Sequence, residues 1–157
     1  MPSRTSSPPD VWSVIADEAA AESPLWADAL RPEAERAREP VFSPLADPRL
    51  ATGIETIYEA YLVHYGRSRL FAPADRDTAL LLGDYLYAHG LVRIAALGDV
   101  EAVRELAELI ADCAHLRAEG AGGDGEAWVE AAARLGDGPA QASQVERALA
   151  AHARLVG

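Results

Sequence analysis

The chain has no lysine: its 14 basic residues are all arginine, a usage to which no function attaches. It has one cysteine, Cys113, which excludes an internal disulfide and a cysteine-built metal site. Aromatic residues make up only 6% of the chain, and no stretch shows β-branched alternation, so a sheet protein is excluded. No apolar run approaches the ~20 residues of a membrane span. The opening MPSRTSSPPD lacks the apolar stretch of a signal peptide, and the expected compartment is the cytoplasm. Positive charge is scarce, 14 basic residues against 25 acidic, giving a net charge of −11. Such a surface repels nucleic acid and anionic lipid, so neither is expected as a partner.

What is present is helix-forming. Half of the 157 residues are hydrophobic, and Ala, Leu, Glu and Arg dominate. The expected class is all-α: a single compact bundle of about six or seven helices over residues 10–157, preceded by a disordered tail at 1–9. Asp10 is placed to cap a first short helix with Val11, Trp12, Ile15 and Ala19 on its apolar face, and Pro24 opens a second. RPEAERARE reads as a charged, exposed turn or helix, and three prolines from Pro40 to Pro48 predict an irregular connector. In TGIETIYEAYLVHYG, Ile54, Ile57, Tyr58, Tyr61, Leu62 and Tyr65 fall on one face of an amphipathic helix. Asp75 or Asp77 is available to cap TALLLGDYLYAHGLVRIAALG, which is apolar over most of its circumference, as a central bundle helix is. Asp99 caps a helix with Val103, Leu106, Ala107, Ile110, Cys113 and Ala114 on one face. GAGGDG at 120–125 reads as a linker. Two further helices follow, the last with Val145, Leu149, His152 and Val156 on one face.

Polar chemistry is sparse. His64, His89, His115 and His152 form no metal-ligand motif with one another or with acids. Glu55, Glu59, Asp75, Asp77 and Asp84 are scattered and read as solvated; none gives the DDxxD spacing that shares a Mg²⁺ on a helix face. No catalytic or metal-ligating residue is expected. Gly83–Asp84 stands out, because a mid-helix glycine costs ~1 kcal/mol relative to alanine and a buried unpaired carboxylate costs more. A helix crossing at Gly83, with Asp84 at the core edge or paired with an arginine, accounts for both.

LLLGDYLYA, ALGDVEAV and LIADCAHLRAEG also fall in the order and spacing of a stretch of trans-polyprenyl diphosphate synthases, an all-α family in which a helix reads roughly L-L-x-G-D-Y/F-L-x-A. Upstream, IETIYEAYLVHYG resembles that family's I-E-x-I-H-x-A-S-L-I-H-D-D. The alignment sets Tyr61, Leu62, Val63 and His64 on S-L-I-H, and Tyr65 and Gly66 where the first two aspartates of DDxxD stand. The resemblance covers residues 53–119. Tyr65 and Gly66 cannot supply the oxygen ligands by which Mg²⁺ holds an allylic diphosphate, and no second aspartate-rich motif follows.

The resemblance therefore implies a truncated isoprenoid-synthase-like bundle with no catalysis of its own. It is most similar to the small non-catalytic subunit of heterodimeric hexaprenyl or heptaprenyl diphosphate synthases. It implies a catalytic prenyl diphosphate synthase as partner, a share in setting chain length, and Mg²⁺ on that partner alone. The candidate interface or prenyl-tunnel residues are Tyr58, Tyr61, Leu62, Tyr65, Leu82, Gly83, Asp84, Leu86 and Tyr87, with Arg67 and Arg69 as weak diphosphate-binding remnants. The alternative is a small helical binder of a prenyl chain or other hydrophobic ligand, held in a cavity among Tyr58, Tyr61, Tyr85 and Tyr87.

Overall fold

A computed structural model describes residues 10–157; the tail expected at 1–9 lies outside them. Seven α-helices follow in order: α1 (Val11–Glu22), α2 (Pro24–Ala29), α3 (Ala51–Tyr65), α4 (Arg76–Ala95), α5 (Val100–Ala118), α6 (Asp124–Arg134) and α7 (Ala142–Val156). There is no strand among the described residues, only an isolated bridge between Leu30 and Phe71. The all-α expectation holds.

The helix starts follow local chemistry. Asp10, Asp75 and Asp99 each accept a hydrogen bond from the backbone N–H three residues on, satisfying one of the free donors at the helix start. RPEAERARE contributes only a 3₁₀ turn, Glu33–Glu35, and the proline-rich connector folds into two more, Ser43–Leu45 and Pro48–Leu50.

Two expectations are reversed. The amphipathic α3 is the central helix: every residue from Gly53 to Leu62 is buried, Glu55 and Glu59 included. The apolar α4 buries Leu82, Gly83, Leu86, Gly90 and Ile94 but leaves a face in solvent. α3 and α4 run antiparallel in close contact. A Cβ on Gly53 would stand 2.2 Å from Ile94 Cδ1, and one on Gly90 would stand 2.5 Å from Ile57 Cγ1. These two glycines, not Gly83, let the helices approach.

α5 is turned slightly from its expected face: Ala102, Leu106, Leu109 and Cys113 are buried, whereas Ala107 and Ala114 are exposed. α7 buries Ala148, Ala151 and His152. The linker expected at 120–125 is shorter than it reads. Gly123 adopts φ 114°, a left-handed conformation open to glycine, and turns the chain so that Asp124 and Gly125 already belong to α6 and are buried.

Candidate functional site

Gly83 seats a side chain. A Cβ there would lie 2.3 Å from His64 Nε2, so the absent methyl is the space the imidazole fills. The ring also stacks on Tyr87, with centroids 5.3 Å apart. Burial lowers the His64 pKa, an effect that Asp84 opposes. Asp84 itself is no buried charge: its side chain is 76% exposed, with Oδ1 3.3 Å from His64 Nε2. The glycine and the carboxylate thus have separate explanations, one steric and one at the surface.

The chain's buried ionic centre lies instead around Arg69. Its Nε donates to Glu59 Oε1 at 2.7 Å, and its Nη1 donates to Glu55 Oε2 at 2.7 Å and to the Glu39 carbonyl at 2.8 Å. The Ser68 hydroxyl and the backbone N–H groups of Arg69 and Leu70 donate to Glu59; the Val41 N–H donates to Glu55. The guanidinium lies over the Trp12 and Tyr58 rings, 4.5 and 5.1 Å from their centroids. Burial works against its charge, but the two carboxylates outweigh it and the Arg69 pKa is raised. Glu55 and Glu59, expected in solvent, are core residues because Arg69 and the connector backbone satisfy them. Arg67, by contrast, is exposed, its backbone N–H donating to the Leu155 carbonyl. The two arginines are therefore not brought together, and Arg69 is committed to the core.

Tyrosines form a second polar seam inside the fold. Tyr58 Oη and His152 Nδ1 are 2.7 Å apart. Tyr61 donates to Asp124 Oδ2 at 2.5 Å, and Arg117 reaches both, 2.7 Å to Asp124 Oδ2 and 2.8 Å to Tyr61 Oη. Burial lowers the His152 pKa and raises those of Tyr58 and Tyr61. Both tyrosines pack against Trp128. A cleft of about 380 Å³ lies at the surface, lined by Arg117, Asp124, Glu126, Leu149 and His152 among others. Of the four tyrosines expected around a ligand cavity, Tyr58 and Tyr61 pack on Trp128 and His152, Tyr85 on Trp26 and His89, and Tyr87 on His64.

Of the predicted interface or tunnel residues, Tyr58, Tyr61, Leu62, Leu82, Gly83 and Leu86 are buried within the chain, and Tyr65 and Tyr87 are half-buried against its core. Asp84 alone among them is exposed. The large apolar side chains that reach solvent are Leu25 on α2 and Leu80, Leu81, Val92, Leu97 and Val100, at 56, 46, 57, 66, 45 and 76% exposure. Leu81, Asp84, Ala88, Val92 and Ala95 follow one another at three- and four-residue steps and form one exposed stripe of α4, apolar but for Asp84. That spacing was present in the sequence but hidden by apolar residues on the helix's other faces.

Among the described residues, no group of three or more His, Cys, Asp and Glu side chains is placed to hold a metal ion, and no helix is long and apolar enough to cross a membrane. Comparison with protein families, with curated proteins and with solved structures finds no match. Chemically, the outward face of α4 can do what a half-built helix interface does: cover, and be covered by, a second apolar surface.

Proposed function

We propose that this chain is a non-catalytic subunit of a heteromeric trans-polyprenyl diphosphate synthase, docking on its catalytic partner through the outward face of α4. The observation that carries the reading is the exposed stripe on that helix, apolar at Leu81, Ala88, Val92 and Ala95 and interrupted by Asp84, which no element of the chain covers among the described residues. It lies on the helix that bears the resemblance, and α3, which bears the other matched stretch, is its closest packing neighbour. Of the pair α3 and α4, α3 is buried from Gly53 to Leu62 and α4 has an apolar face left to offer. Tyr65 and Gly66 end α3 without a carboxylate, so Mg²⁺ and ionisation of the allylic diphosphate belong to the partner. In this role the chain supports the catalytic subunit and walls the apolar tunnel that sets product length.

Native-mass analysis of the protein co-purified from its source cell tests this. A synthase carrying DDxxD motifs, recovered in fixed ratio and lost with Leu81→Arg/Val92→Arg, is the expected result. Recovery of a lone monomer, in cells where a long-chain prenyl synthase is present, overturns the assignment.

A further inference from the structure

The α4 stripe holds two carboxylates within it, Asp77 and Asp84, and the exposed Arg76 stands beside the first of them. Asp77 and Asp84 are both exposed and stand two turns apart, about 10 Å along the helix. Leu80 and Leu81 lie between them, and Ala88, Val92 and Ala95 carry the stripe on toward Leu97 and Val100. No arginine is within ion-pair reach of either carboxylate among the described residues; Asp84 meets only the edge of His64, 3.3 Å away. That imidazole is neutral near pH 7, because burial lowers its pKa from an ordinary 6.5, and it leaves the negative charge standing.

A second copy of the chain meets this face poorly in two registers. In-register parallel pairing would set Asp77 on Asp77 and Asp84 on Asp84. Antiparallel pairing about Ala88 would set Asp84 on Val92, pressing a carboxylate into an apolar contact. The net charge of −11 adds repulsion to either arrangement.

We propose that the outward face of α4 docks a basic amphipathic helix of a different protein. That helix places two arginine or lysine side chains one heptad apart against Asp77 and Asp84 and lays an apolar seam on Leu81, Ala88 and Val92. Ala88 and Ala95 are small enough for the two axes to come close. The alternation of acid and apolar groups fixes orientation as well as partner: the basic end of the incoming helix lies at the α4 N-terminus. The inference rests on α4 being a protein interface, and does not depend on the partner's being a prenyl synthase.

Two helical peptides test it against the full-length chain. They share a leucine–alanine seam and differ in carrying arginine or glutamate at the heptad-spaced flanking positions. Fluorescence anisotropy at low salt is expected to show the arginine peptide binding at least about tenfold more tightly. The gap should narrow at about 0.5 M salt and in Asp77→Asn/Asp84→Asn, and Val92→Arg should abolish binding. These positions are exposed, and circular dichroism confirms that each variant is folded. Equal binding of the two peptides, no binding of either, or a homodimer that Val92→Arg dissociates would overturn the proposal. A synthase that co-purifies and survives Leu81→Arg/Val92→Arg would sink the docking face while leaving the subunit assignment standing. Selective binding of the arginine peptide without a synthase in the cell extract would do the reverse.

Discussion

Helices α3 and α4 lie against each other, yet each has the environment that the other's sequence suggests. α3 carries Glu55, Thr56 and Glu59 opposite its apolar face and is enclosed all round from Gly53 to Leu62. α4 is the more uniformly apolar in appearance and keeps leucine and valine in water. The difference lies in what surrounds them. The polar side of α3 meets Ser68, Arg69 and the backbone of two connectors, which satisfy its carboxylates, and a satisfied carboxylate can be buried. Nothing in the described chain is placed to cover the outer side of α4. A helix's polarity pattern states its demands; its neighbours decide whether they are met.

The sharpest way to break this comparison is to take away what makes α3's burial tolerable. Arg69→Met leaves Glu55 and Glu59 in the core without their counter-charge. Loss of one partner from a buried ionic cluster costs ~3–5 kcal/mol, a large part of the 5–15 kcal/mol typical of a whole domain. Urea unfolding should show a large fall in the midpoint, or a chain that does not fold. Replacing Glu55, Glu59 and Arg69 together by apolar residues of similar volume should recover most of the loss. A single variant as stable as the parent would mean that water reaches the carboxylates, and α3 would not be the enclosed helix described.

Much of the helical framework was legible in sequence, because capping and periodicity are local. Asp10, Asp75 and Asp99 announce their helices by their own side chains, and Ile15 and Ala19 face the core as their spacing requires. Burial of Glu55 and Glu59 was not legible, since it depends on Arg69, which comes after the helix has ended and the chain has turned back. Asp124 escaped for a similar reason. It sits in a glycine-rich stretch that reads as a linker, and Tyr61 and Arg117, which hold it, are distant in sequence or across the turn. Gly83 reads in sequence as the point of a helix crossing, but the group it admits is the His64 ring, while Gly53 and Gly90 make the crossing of α3 and α4. The α4 stripe was hidden by its own surroundings: with apolar residues nearly all round, periodicity cannot say which side faces the core.

The contact between the two helices can be probed directly. Gly90→Ala gains helix propensity but places a methyl 2.5 Å from Ile57 Cγ1 and 3.2 Å from the Ile57 backbone nitrogen, both in the buried stretch of α3. Overpacking of this kind costs ~1–3 kcal/mol, more than the ~1 kcal/mol that propensity returns. The net expectation is a lower urea midpoint with an unchanged slope. A stabilised Gly90→Ala would show that α3 and α4 can separate without loss, and that the pair is less tightly coupled than its geometry.

A smaller effect follows from pH. Burial lowers the pKa of His64, against Asp84, and of His152, where Asp124 and Glu126 oppose the shift and Arg117 reinforces it. The unfolded chain therefore takes up protons first. Stability is full above the ordinary histidine value of 6.5 and declines as pH falls from there toward the depressed folded values. Each histidine contributes a slope of at most about 1.4 kcal/mol per pH unit. Urea midpoints measured between about pH 7.5 and 5.5 should fall toward the acid end, and His64→Gln should flatten the curve. A midpoint that rises toward acid would mean that Asp84 holds His64 as an imidazolium, so that α4 would carry an ion pair where a packing contact is described.

The least effect on the isolated chain should come from the face that most distinguishes α4. Leu81 is 57% exposed, whereas Leu82, its neighbour in sequence, is 0% exposed. Leu81→Gln should change unfolding free energy by no more than about 0.5 kcal/mol, because the side chain already meets water in the folded state. The same substitution should nevertheless weaken the arginine peptide's hold on α4, since a leucine whose burial occurs on binding gives its hydrophobic free energy to the complex and not to the fold. A large loss of stability with unchanged binding would assign Leu81 to the chain's own core. Loss of binding at constant stability would place it where α4's outer stripe does, on a surface completed by another protein.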